Sequence, residues 1–319
     1  MRTRRSTVLV TGGLGYIGSY VVRDLRERGW QVRVLDNRYR CDPATASELA
    51  ALDGVEVVEG DIRYAHMVES ATQGVEAVVH LAAVCMNKSI ADPTESLDVN
   101  LMGTQNVLDA ASRASVRRIV YASSASVYGN PTQLPMREDD KLAPITPYCV
   151  AKLAGEQMLD FYARRAKLSW LGLRFFNVYG PGQPTDAYYT SVVVTFLNRL
   201  AAGDAPVIDG RGDQSMDFVH VRDVARAVAM AVDSEATGEV LNVGTGRQTS
   251  ISELAELLVR SLGIDVQPLY RPREVLVTRR EASTERIEEV LAWRPQVGLE
   301  EGIASVLDWH KRTLEDQRR

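Results

Sequence analysis

Two side chains that can together transfer a proton lie four residues apart, at Tyr148 and Lys152. Pro147 precedes them and suits the first turn of a helix, in which residues at this spacing share one face. An ammonium beside a phenol favours the phenolate and lowers its pKa from about 10. Such a tyrosine can accept a proton from a hydroxyl group while hydride leaves the same carbon. The pair alone is weak evidence, because the same spacing is common on half-buried helices.

A third group suited to acid–base chemistry, Ser124, follows the apolar run at residues 118–122. The run predicts a buried strand, and a hydroxyl at a strand end can face a ligand. We therefore predict that Ser124 hydrogen-bonds the reacting oxygen of a substrate and passes protons to Tyr148. A plain serine-rich turn is the alternative, which suits Ser123 and Ser126 better.

The glycines Gly12, Gly15 and Gly18 follow an apolar run and open a helical pattern over residues 15–28. This order predicts a dinucleotide-binding turn. Gly12 lets the chain turn off the strand, Gly15 admits a pyrophosphate and Gly18 lets helix and strand pack closely. The helix N-terminus adds free N–H groups and the positive end of a dipole.

Asp36 ends the next predicted strand, where nucleotide-binding folds place an acidic residue. A carboxylate there accepts hydrogen bonds from the adenosine ribose and repels a 2′-phosphate. NAD is therefore predicted over NADP, although Arg33 and Arg38 lie nearby. A solvated turn residue is the less favoured alternative for Asp36.

Strand-like apolar runs alternate with helical patterns through the first half of the chain. Such alternation predicts an α/β fold with a Rossmann-type, doubly wound parallel sheet covered on both faces, with ligands at the carboxyl ends of the strands. Asp61 follows the third strand and either meets an adenine or caps a helix. Leu81, Ala82 and Ala83 follow the fourth strand and either leave room for a cofactor or simply pack. The predicted strands are residues 7–10, 31–36, 55–59, 77–81, 118–122 and 170–174.

The pattern changes beyond about residue 177, where proline and glycine cluster. The segments that follow contain too few strands for a second doubly wound unit, and they predict a smaller substrate-binding domain. We expect residues 1–176 to form the NAD-binding domain and residues 177–319 the substrate-binding domain. Residues 217–246 are expected to return in part to the first domain.

The composition argues against several classes of protein. The 319 residues are 45% hydrophobic and 25% charged, with a net charge of −5, so nucleic acid is not expected as a partner. No apolar run is long enough to predict a membrane span or an export signal. Cys41, Cys85 and Cys149 are odd in number and lack metal-ligand spacing. Neither a metal site nor a disulfide framework is predicted, and a reducing cytoplasm is the expected location.

A series of short motifs runs in order along nearly the whole chain. It consists of the three spaced glycines, residues 80–83, Asn100 with residues 103–106, Ser124, the Tyr148 and Lys152 pair, and residues 174–180, 217–221 and 242–244. Together these motifs resemble the extended short-chain dehydrogenase/reductase family, and within it the nucleotide-sugar epimerases of the UDP-glucose 4-epimerase type. The series is specific for the family and much less so for the substrate.

The resemblance implies a role for each matching residue. Tyr148 would take the proton from the C4 hydroxyl of the sugar while NAD takes the hydride, and Lys152 would also hold the nicotinamide ribose. The 4-keto sugar would then turn over and receive the hydride on its other face. NAD would be bound by Gly12, Gly15, Tyr16, Ile17, Gly18, Asp36, Asn37, Asp61, Ile62, Leu81, Ala82, Ala83, Asn100, Tyr148, Lys152 and Phe175. The substrate would be bound by Cys85, Ser124, Ser126, Asn177 and Arg271.

Two departures from the family pattern bear on the reaction and the substrate. Ala125 and Ser126 stand where 4,6-dehydratases of the family carry an Asp-Glu pair and related decarboxylases a glutamate. Met216 stands where the family usually has an arginine that binds the diphosphate. Either another residue binds the diphosphate, for which the candidates are Arg211, Arg222 and Arg271, or the substrate differs.

We therefore predict an NAD-dependent epimerase of a nucleotide sugar, with a UDP-sugar favoured and C4 as the reacting carbon. A dehydratase, decarboxylase or dehydrogenase of the same family is the alternative, and a non-catalytic NAD sensor is less favoured still. A homodimer is also expected. The helical segments at residues 93–115 and 147–167 carry more apolar residues than one sheet face needs, and they resemble helices that family members pair into a four-helix interface.

Overall fold

The computed structural model describes residues 6–184, 191–272 and 279–317. In chain order the described strands are β1 (Thr7–Thr11), β2 (Gln31–Asp36), β3 (Val55–Glu59), β4 (Ala77–His80), β5 (Arg118–Ser124), β6 (Ser169–Phe175), β7 (Asn177–Tyr179), β8 (Val207–Asp209), β9 (Ser215–His220), β10 (Glu239–Val243), β11 (Gln248–Ser250) and β12 (Leu269–Arg271).

The described helices alternate with these strands through the first half of the chain. They are α1 (Tyr16–Glu27), α2 (Pro43–Ala51), α3 (Ala65–Thr72), α4 (Met86–Ala91), α5 (Pro93–Leu97), α6 (Thr104–Arg113), α7 (Pro147–Ala166), α8 (Val192–Ala201), α9 (Val221–Asp233), α10 (Ile251–Leu262), α11 (Glu285–Leu291) and α12 (Leu299–Gln317). No helix within the described ranges is both long and apolar enough to cross a membrane.

A parallel sheet of seven strands lies at the centre, in the order β10-β6-β5-β4-β1-β2-β3. Alternate residues of its strands belong to two apolar clusters on opposite faces. Val8 and Val10 pack on one face, and Leu9 packs on the other. The strands are all parallel, but the order in which the chain adds them changes side after β3, so that β1 and β4 are neighbours. Such a switch point opens a crevice at the carboxyl ends of these two strands. The predicted doubly wound α/β fold is confirmed.

The second half of the chain contributes to both parts of the molecule. Strand β10 pairs with β6 in the central sheet, and α9 packs against α1. The remaining strands form a three-stranded sheet, β11-β9-β7, and a two-stranded sheet, β12-β8. Helices α8, α10 and α12 cover them around a separate core that includes Phe196, Leu254 and Ile303.

The helical segment predicted at residues 93–115 is interrupted. Helix α5 leads into a π-helical turn, Asp98–Gly103, before α6 continues. The side chain of Asp92 accepts a hydrogen bond from the Glu95 N–H and so caps α5. The wider turn contains the buried Asn100, which anchors the loop after β4.

Candidate active site

A cavity of about 360 Å³ lies at the carboxyl ends of the central strands. It is bounded by the glycine-rich turn, by the ends of β2, β4, β5 and β6, and by Gln183 and Pro184. Most of the predicted cofactor residues line it. They are Gly12, Gly15, Tyr16, Ile17, Gly18, Asp36, Asn37, Asp61, Ile62, Leu81, Ala82, Ala83, Tyr148, Lys152 and Phe175.

The glycine-rich turn leaves no room for side chains. Gly12 has φ +71°, and a Cβ there would stand 2.8 Å from the backbone of Ala82. A Cβ on Gly18 would stand 2.1 Å from the Gly12 carbonyl oxygen. Helix α1 begins beside this turn, and no side chain caps its N-terminus at Gly15. The turn therefore offers backbone N–H groups at close approach, which fits the pyrophosphate of a dinucleotide.

Asp36 orders the turn as well as facing the cavity. Its carboxylate accepts hydrogen bonds from the Leu14 N–H at 3.0 Å and the Arg38 N–H at 2.8 Å. Burial raises the pKa of Asp36, and these backbone hydrogen bonds oppose the rise. A carboxylate at the end of β2 fits the hydroxyl groups of an adenosine ribose.

The Asp61 carboxylate is held by its own neighbours. Arg63 donates to it through its backbone N–H and two side-chain nitrogens, and Asn37 donates through Nδ2 at 2.9 Å. Burial alone raises the pKa of Asp61, but these hydrogen bonds bring it down to about 2. Arg63 also lines the cavity and was missed in the sequence, because it lies in a turn rather than in a motif.

Asn100 does not line the cavity. Its Oδ1 accepts from the Val84 N–H at 2.8 Å, while its Nδ2 donates to the Val84 carbonyl and to Ser96. Because its side chain is engaged in this way, Asn100 positions the loop after β4 and does not face a dinucleotide directly. That loop carries Cys85, which lines the cavity as expected of a substrate residue.

Tyr148 and Lys152 lie in the first two turns of α7, on the face towards β5. Thr146 begins the helix, where its side chain accepts a hydrogen bond from the Cys149 N–H. The Lys152 ammonium is buried and donates to the Ala122 carbonyl at 2.7 Å. Its nitrogen lies 5.7 Å from the centre of the Tyr148 ring. Burial lowers the pKa of Lys152 to about 8, against the charge of Glu156.

The expected lowering of the Tyr148 pKa by Lys152 is wrong. Burial raises the pKa of Tyr148 to about 12, and a hydrogen bond with Ser124 and the charge of Arg280 only partly oppose the rise. The lysine nitrogen is directed to a backbone carbonyl instead of the phenol oxygen. Ser124 does lie within reach of the phenol, so the structure brings Ser124, Tyr148 and Lys152 together as predicted.

A buried ion pair lies behind these residues. Arg174 on β6 donates to both carboxylate oxygens of Glu156 on α7, at 2.8 and 2.9 Å, and their side chains are 3% and 6% exposed. Arg174 also donates to the Tyr128 hydroxyl, which in turn donates to Asn242. Ser123 donates to the same Glu156 carboxylate. This network fixes α7 against the sheet, and it explains why several motif residues are polar although buried.

The predicted substrate-binding residues are more widely spread over the structure than the predicted cofactor residues. Ser126 is buried beside Ser124, and its backbone N–H donates to the Ser124 hydroxyl oxygen at 3.1 Å. Asn177 is half-buried at the start of β7. Arg211 is exposed near Asp213, and Arg271 forms an ion pair with Asp209 on β8. The structure places neither of these two arginines in the cavity.

Arg280 was missed in the sequence. It is buried, its Nε has no hydrogen-bond partner among the described residues, and its charge acts on Tyr148. Its backbone N–H donates to the carbonyl of Ser215, the residue before Met216. The sequence would indicate the burial of Arg280 only if its segment could be paired with Ser215, about 65 residues away. The periodicity of helices and strands does not reveal such pairings.

Comparisons with known proteins agree with this geometry. Residues 8–244 match the model of the NAD dependent epimerase/dehydratase family. The chain is 35% identical over 307 residues to the UDP-glucose 4-epimerase of Mycolicibacterium smegmatis, covering 95% of this chain and 98% of that one. The predicted family is thereby confirmed.

Solved structures of similar proteins have the same fold over almost their whole length. A UDP-glucose 4-epimerase from Thermotoga maritima, solved with UDP-glucose, superposes with a TM-score of 0.90 at 33% identity, covering 97% of this chain and 99% of that one. A UDP-N-acetylglucosamine 4-epimerase from Methanobrevibacter ruminantium, in complex with UDP-N-acetylmuramic acid, gives a TM-score of 0.92 at 26% identity, covering 98% and 100%. The chain therefore belongs to the NAD-dependent epimerase/dehydratase family, and its cofactor is NAD.

Proposed function

We propose that this protein epimerises a UDP-sugar at C4. The observation that carries the proposal is that Tyr148 and Lys152 line a cavity that fits NAD, with Ser124 beside the Tyr148 phenol. The relatives described above are UDP-sugar 4-epimerases, which supports the prediction of an NAD-dependent nucleotide-sugar epimerase. The same chemistry requires no metal ion.

Proton transfer is assigned to Tyr148. When bound, NAD supplies a hydride acceptor and a positively charged ring that favours the phenolate. The Tyr148 oxygen then removes the proton of the sugar hydroxyl, and Ser124 holds that hydroxyl by a hydrogen bond. Lys152 keeps a positive charge close to the phenol and is itself fixed by the Ala122 carbonyl. After the keto sugar has turned over, the Tyr148 hydroxyl returns the proton.

The turn after β5 favours epimerisation over elimination. Ala125 and Ser126 are both buried in the short helical turn that follows Ser124. Neither side chain can act as the carboxylic acid or carboxylate that removal of water from the sugar demands. A dehydratase or decarboxylase is therefore the weaker candidate.

The test is turnover of a panel of nucleotide sugars, followed by proton NMR of the sugar ring. We expect UDP-sugars to be converted into their C4 epimers without net formation of NADH. A 4-keto-6-deoxy product or stoichiometric NADH would contradict the proposal and support the dehydratase or dehydrogenase instead.

A homodimer through α7 and the α5–α6 segment is part of the proposal. Among the apolar residues of these segments, Leu108 and Leu159 are buried in the core, whereas Leu97, Met102 and Phe161 are exposed. The two segments pack side by side, so a second copy would cover these residues. We also propose the reducing cytoplasm as the location, because Cys41, Cys85 and Cys149 have neither the even number nor the spacing of a disulfide framework.

Light scattering at micromolar concentration measures the dimer directly. We expect twice the chain mass for the wild type and a monomer for Phe161→Glu. Ile264→Glu, at an exposed apolar residue elsewhere on the surface, is the control and should stay dimeric. A monomeric wild type would exclude the dimer.

A further inference from the structure

His80 is a buried histidine at the end of β4, and it does not line the cavity. Its Nδ1 lies 2.7 Å from the hydroxyl oxygen of Thr11, and its Nε2 lies 3.0 Å from the hydroxyl oxygen of Thr104. Thr11 ends β1 and Thr104 begins α6. The imidazole therefore connects a strand of the central sheet with a helix that packs on that sheet.

The surroundings of the ring keep it neutral. Burial lowers the pKa of His80 to about 3, and the positive charge of Lys152 acts in the same direction. The ring of Tyr121 is close to both, with its centre 5.8 Å from that of His80 and 5.1 Å from the Lys152 nitrogen. A neutral imidazole has one donor nitrogen and one acceptor nitrogen, so its two hydrogen bonds run in opposite directions.

The two threonines decide which nitrogen of His80 carries the hydrogen. The Thr104 hydroxyl donates its hydrogen to the Asn100 carbonyl at 2.7 Å, and it therefore accepts from Nε2. The Thr11 hydroxyl accepts from the Ala82 N–H at 3.3 Å, and its own hydrogen is left for Nδ1. Both contacts assign the Nε2–H tautomer.

Both ends of this chain of hydrogen bonds lie on the loop after β4, at residues 81–85. One end is the Ala82 N–H. At the other end Asn100 bonds Val84 twice, because its Oδ1 accepts from the Val84 N–H at 2.8 Å and its Nδ2 donates to the Val84 carbonyl at 2.9 Å. Ala82 and Val84 both line the cavity. The loop is thus held from behind at two points, and His80 is the link between them.

The glycine-rich turn is the neighbouring wall of the crevice, and Thr11 leads directly into it. The Thr11 carbonyl accepts from the Leu81 N–H at 3.1 Å. A Cβ on Gly12 would stand 2.8 Å from the Ala82 backbone, so turn and loop pack backbone against backbone. A shift of the loop relative to Thr11 therefore changes the shape of the crevice that both walls form.

We propose that His80 is a positioning residue for NAD, because it sets the shape of the crevice by holding the loop at residues 81–85 in place. It acts through Thr11 on one side and through Thr104 and Asn100 on the other, and its own ring touches neither cofactor nor sugar. An apolar side chain of similar size would leave two buried hydroxyl groups without this partner, which is costly. The loop would shift to restore hydrogen bonds, and NAD would be held less tightly. The proposal concerns NAD alone and holds whichever sugar is epimerised.

The test measures how fast bound NAD leaves the purified enzyme in three variants of His80. Released NAD is trapped by alcohol dehydrogenase, which uses ethanol to reduce it to NADH. His80→Leu breaks both contacts and should speed release by roughly 10–100-fold. His80→Asn keeps an acceptor near the place of Nδ1, and His80→Gln keeps a donor near the place of Nε2. The release rate of each should therefore lie between those of the leucine variant and the wild type.

Combination with a threonine variant separates positioning from general stability. Thr104→Val should speed NAD release in the wild type and should add less in His80→Asn, which has already lost the bond to Thr104. Thr72→Val is the control, since it removes another buried hydroxyl, one that donates to the Val68 carbonyl at 2.6 Å in α3. Its effect should appear in urea denaturation and not in the rate of NAD release.

The ¹⁵N NMR spectrum of the histidine side chains tests the tautomer in the unaltered protein. We expect the signal that is missing from His80→Asn to be that of a neutral ring with its hydrogen on Nε2, unchanged between about pH 5 and 8. A charged ring or an Nδ1–H ring would overturn the proposal. So would NAD release at the wild-type rate in His80→Leu, or an equal increase of that rate in Thr72→Val. If His80→Leu does not fold, wild-type release from both His80→Asn and His80→Gln would exclude the role in the same way.

Discussion

The cofactor half and the substrate half of the cavity are built in different ways. In the cofactor half, the turn at Gly12, the carboxylate of Asp36 and the carboxylate of Asp61 are all held by hydrogen bonds or close backbone contacts. In the substrate half, Ser126 and Arg280 carry buried polar atoms without partners among the described residues. The first half is held mainly by local backbone and carboxylate contacts, although the Tyr16 hydroxyl there is also buried without a partner among the described residues. The second half is assembled from segments that are far apart in the sequence.

This difference shows where specificity can vary in such a fold. The cofactor half consists of short local motifs. A larger side chain in the glycine-rich turn would clash with the backbone, as the contacts of Gly18 illustrate. The substrate half is assembled from residues of β5, β9 and the segment around Arg280, which are far apart in the sequence. We expect single substitutions there, such as methionine at position 216, to affect ligand binding more than the central sheet, because Met216 lies in the separate three-stranded sheet.

The largest expected effect comes from the group that both halves share. Tyr148→Phe removes the proposed base and should lower kcat by about 10²–10⁴-fold. NAD should stay bound, because the glycine-rich turn and Asp36 are untouched. Steady-state kinetics and the NAD content of the purified variant measure the two effects. A variant with near wild-type turnover would exclude Tyr148 as the base.

The buried ion pair between Arg174 and Glu156 should affect the stability of the fold more than the catalytic step. Glu156→Ala leaves the buried Arg174 without its anion and should lower the free energy of unfolding by about 3–5 kcal/mol. Urea denaturation measures this change in the free energy of unfolding. Glu69→Ala, which breaks the exposed pair with Arg113, is the control and should cost less than about 1 kcal/mol. Equal losses in both variants would mean that the buried pair adds no particular stability.

Asp36 should be the residue through which the cofactor half prefers NAD to NADP. Asp36→Asn removes the charge but keeps the size, so the repulsion of a 2′-phosphate is lost and one ribose hydrogen bond weakens. We expect the preference for NAD over NADP to fall by roughly 10–100-fold. Fluorescence titration with both reduced dinucleotides measures it. Equal affinity of the wild type for both would show that Asp36 does not select the cofactor.

The smallest effect is expected at Met216, in the substrate half. An arginine there adds a cation in the strand next to the Arg280 segment, and its attraction to the diphosphate is offset by repulsion from Arg280. We therefore expect Met216→Arg to tighten UDP binding by less than about 10-fold. Calorimetry with UDP measures it, and a loss of UDP binding would show that position 216 faces a different part of the ligand.

Much of the fold and of the cofactor half could be predicted from the sequence, because their signals are local. The central strands and the residues that follow them were found from apolar runs and glycine spacing. Asn100 lies outside the cavity lining and bonds the loop after β4. A motif gives residue type and position but not the direction of a side chain. The pKa of Tyr148 was predicted in the wrong direction since burial cannot be read from the spacing of two residues.

The substrate half escaped prediction for a related reason. Arg280 becomes notable only when the fold brings its segment against Ser215, and exposed arginines such as Arg279 look the same in the sequence. Arg211 and Arg271 are the arginines predicted to bind the diphosphate, Arg271 from the family resemblance. In the structure both are exposed beside acidic residues, and their role in binding stays a prediction. Burial and the lack of a partner are properties of the folded chain.

The central claim is that one hydride leaves and returns to the same carbon while Tyr148 moves the proton. The most direct measurement uses UDP-sugar deuterated at C4, with the product followed by NMR and absorbance at the wavelength of NADH. We expect the C4 epimer to keep its deuterium in ordinary water and no NADH to accumulate in solution. Deuterium lost to the solvent, or NADH released in proportion to product, would contradict it.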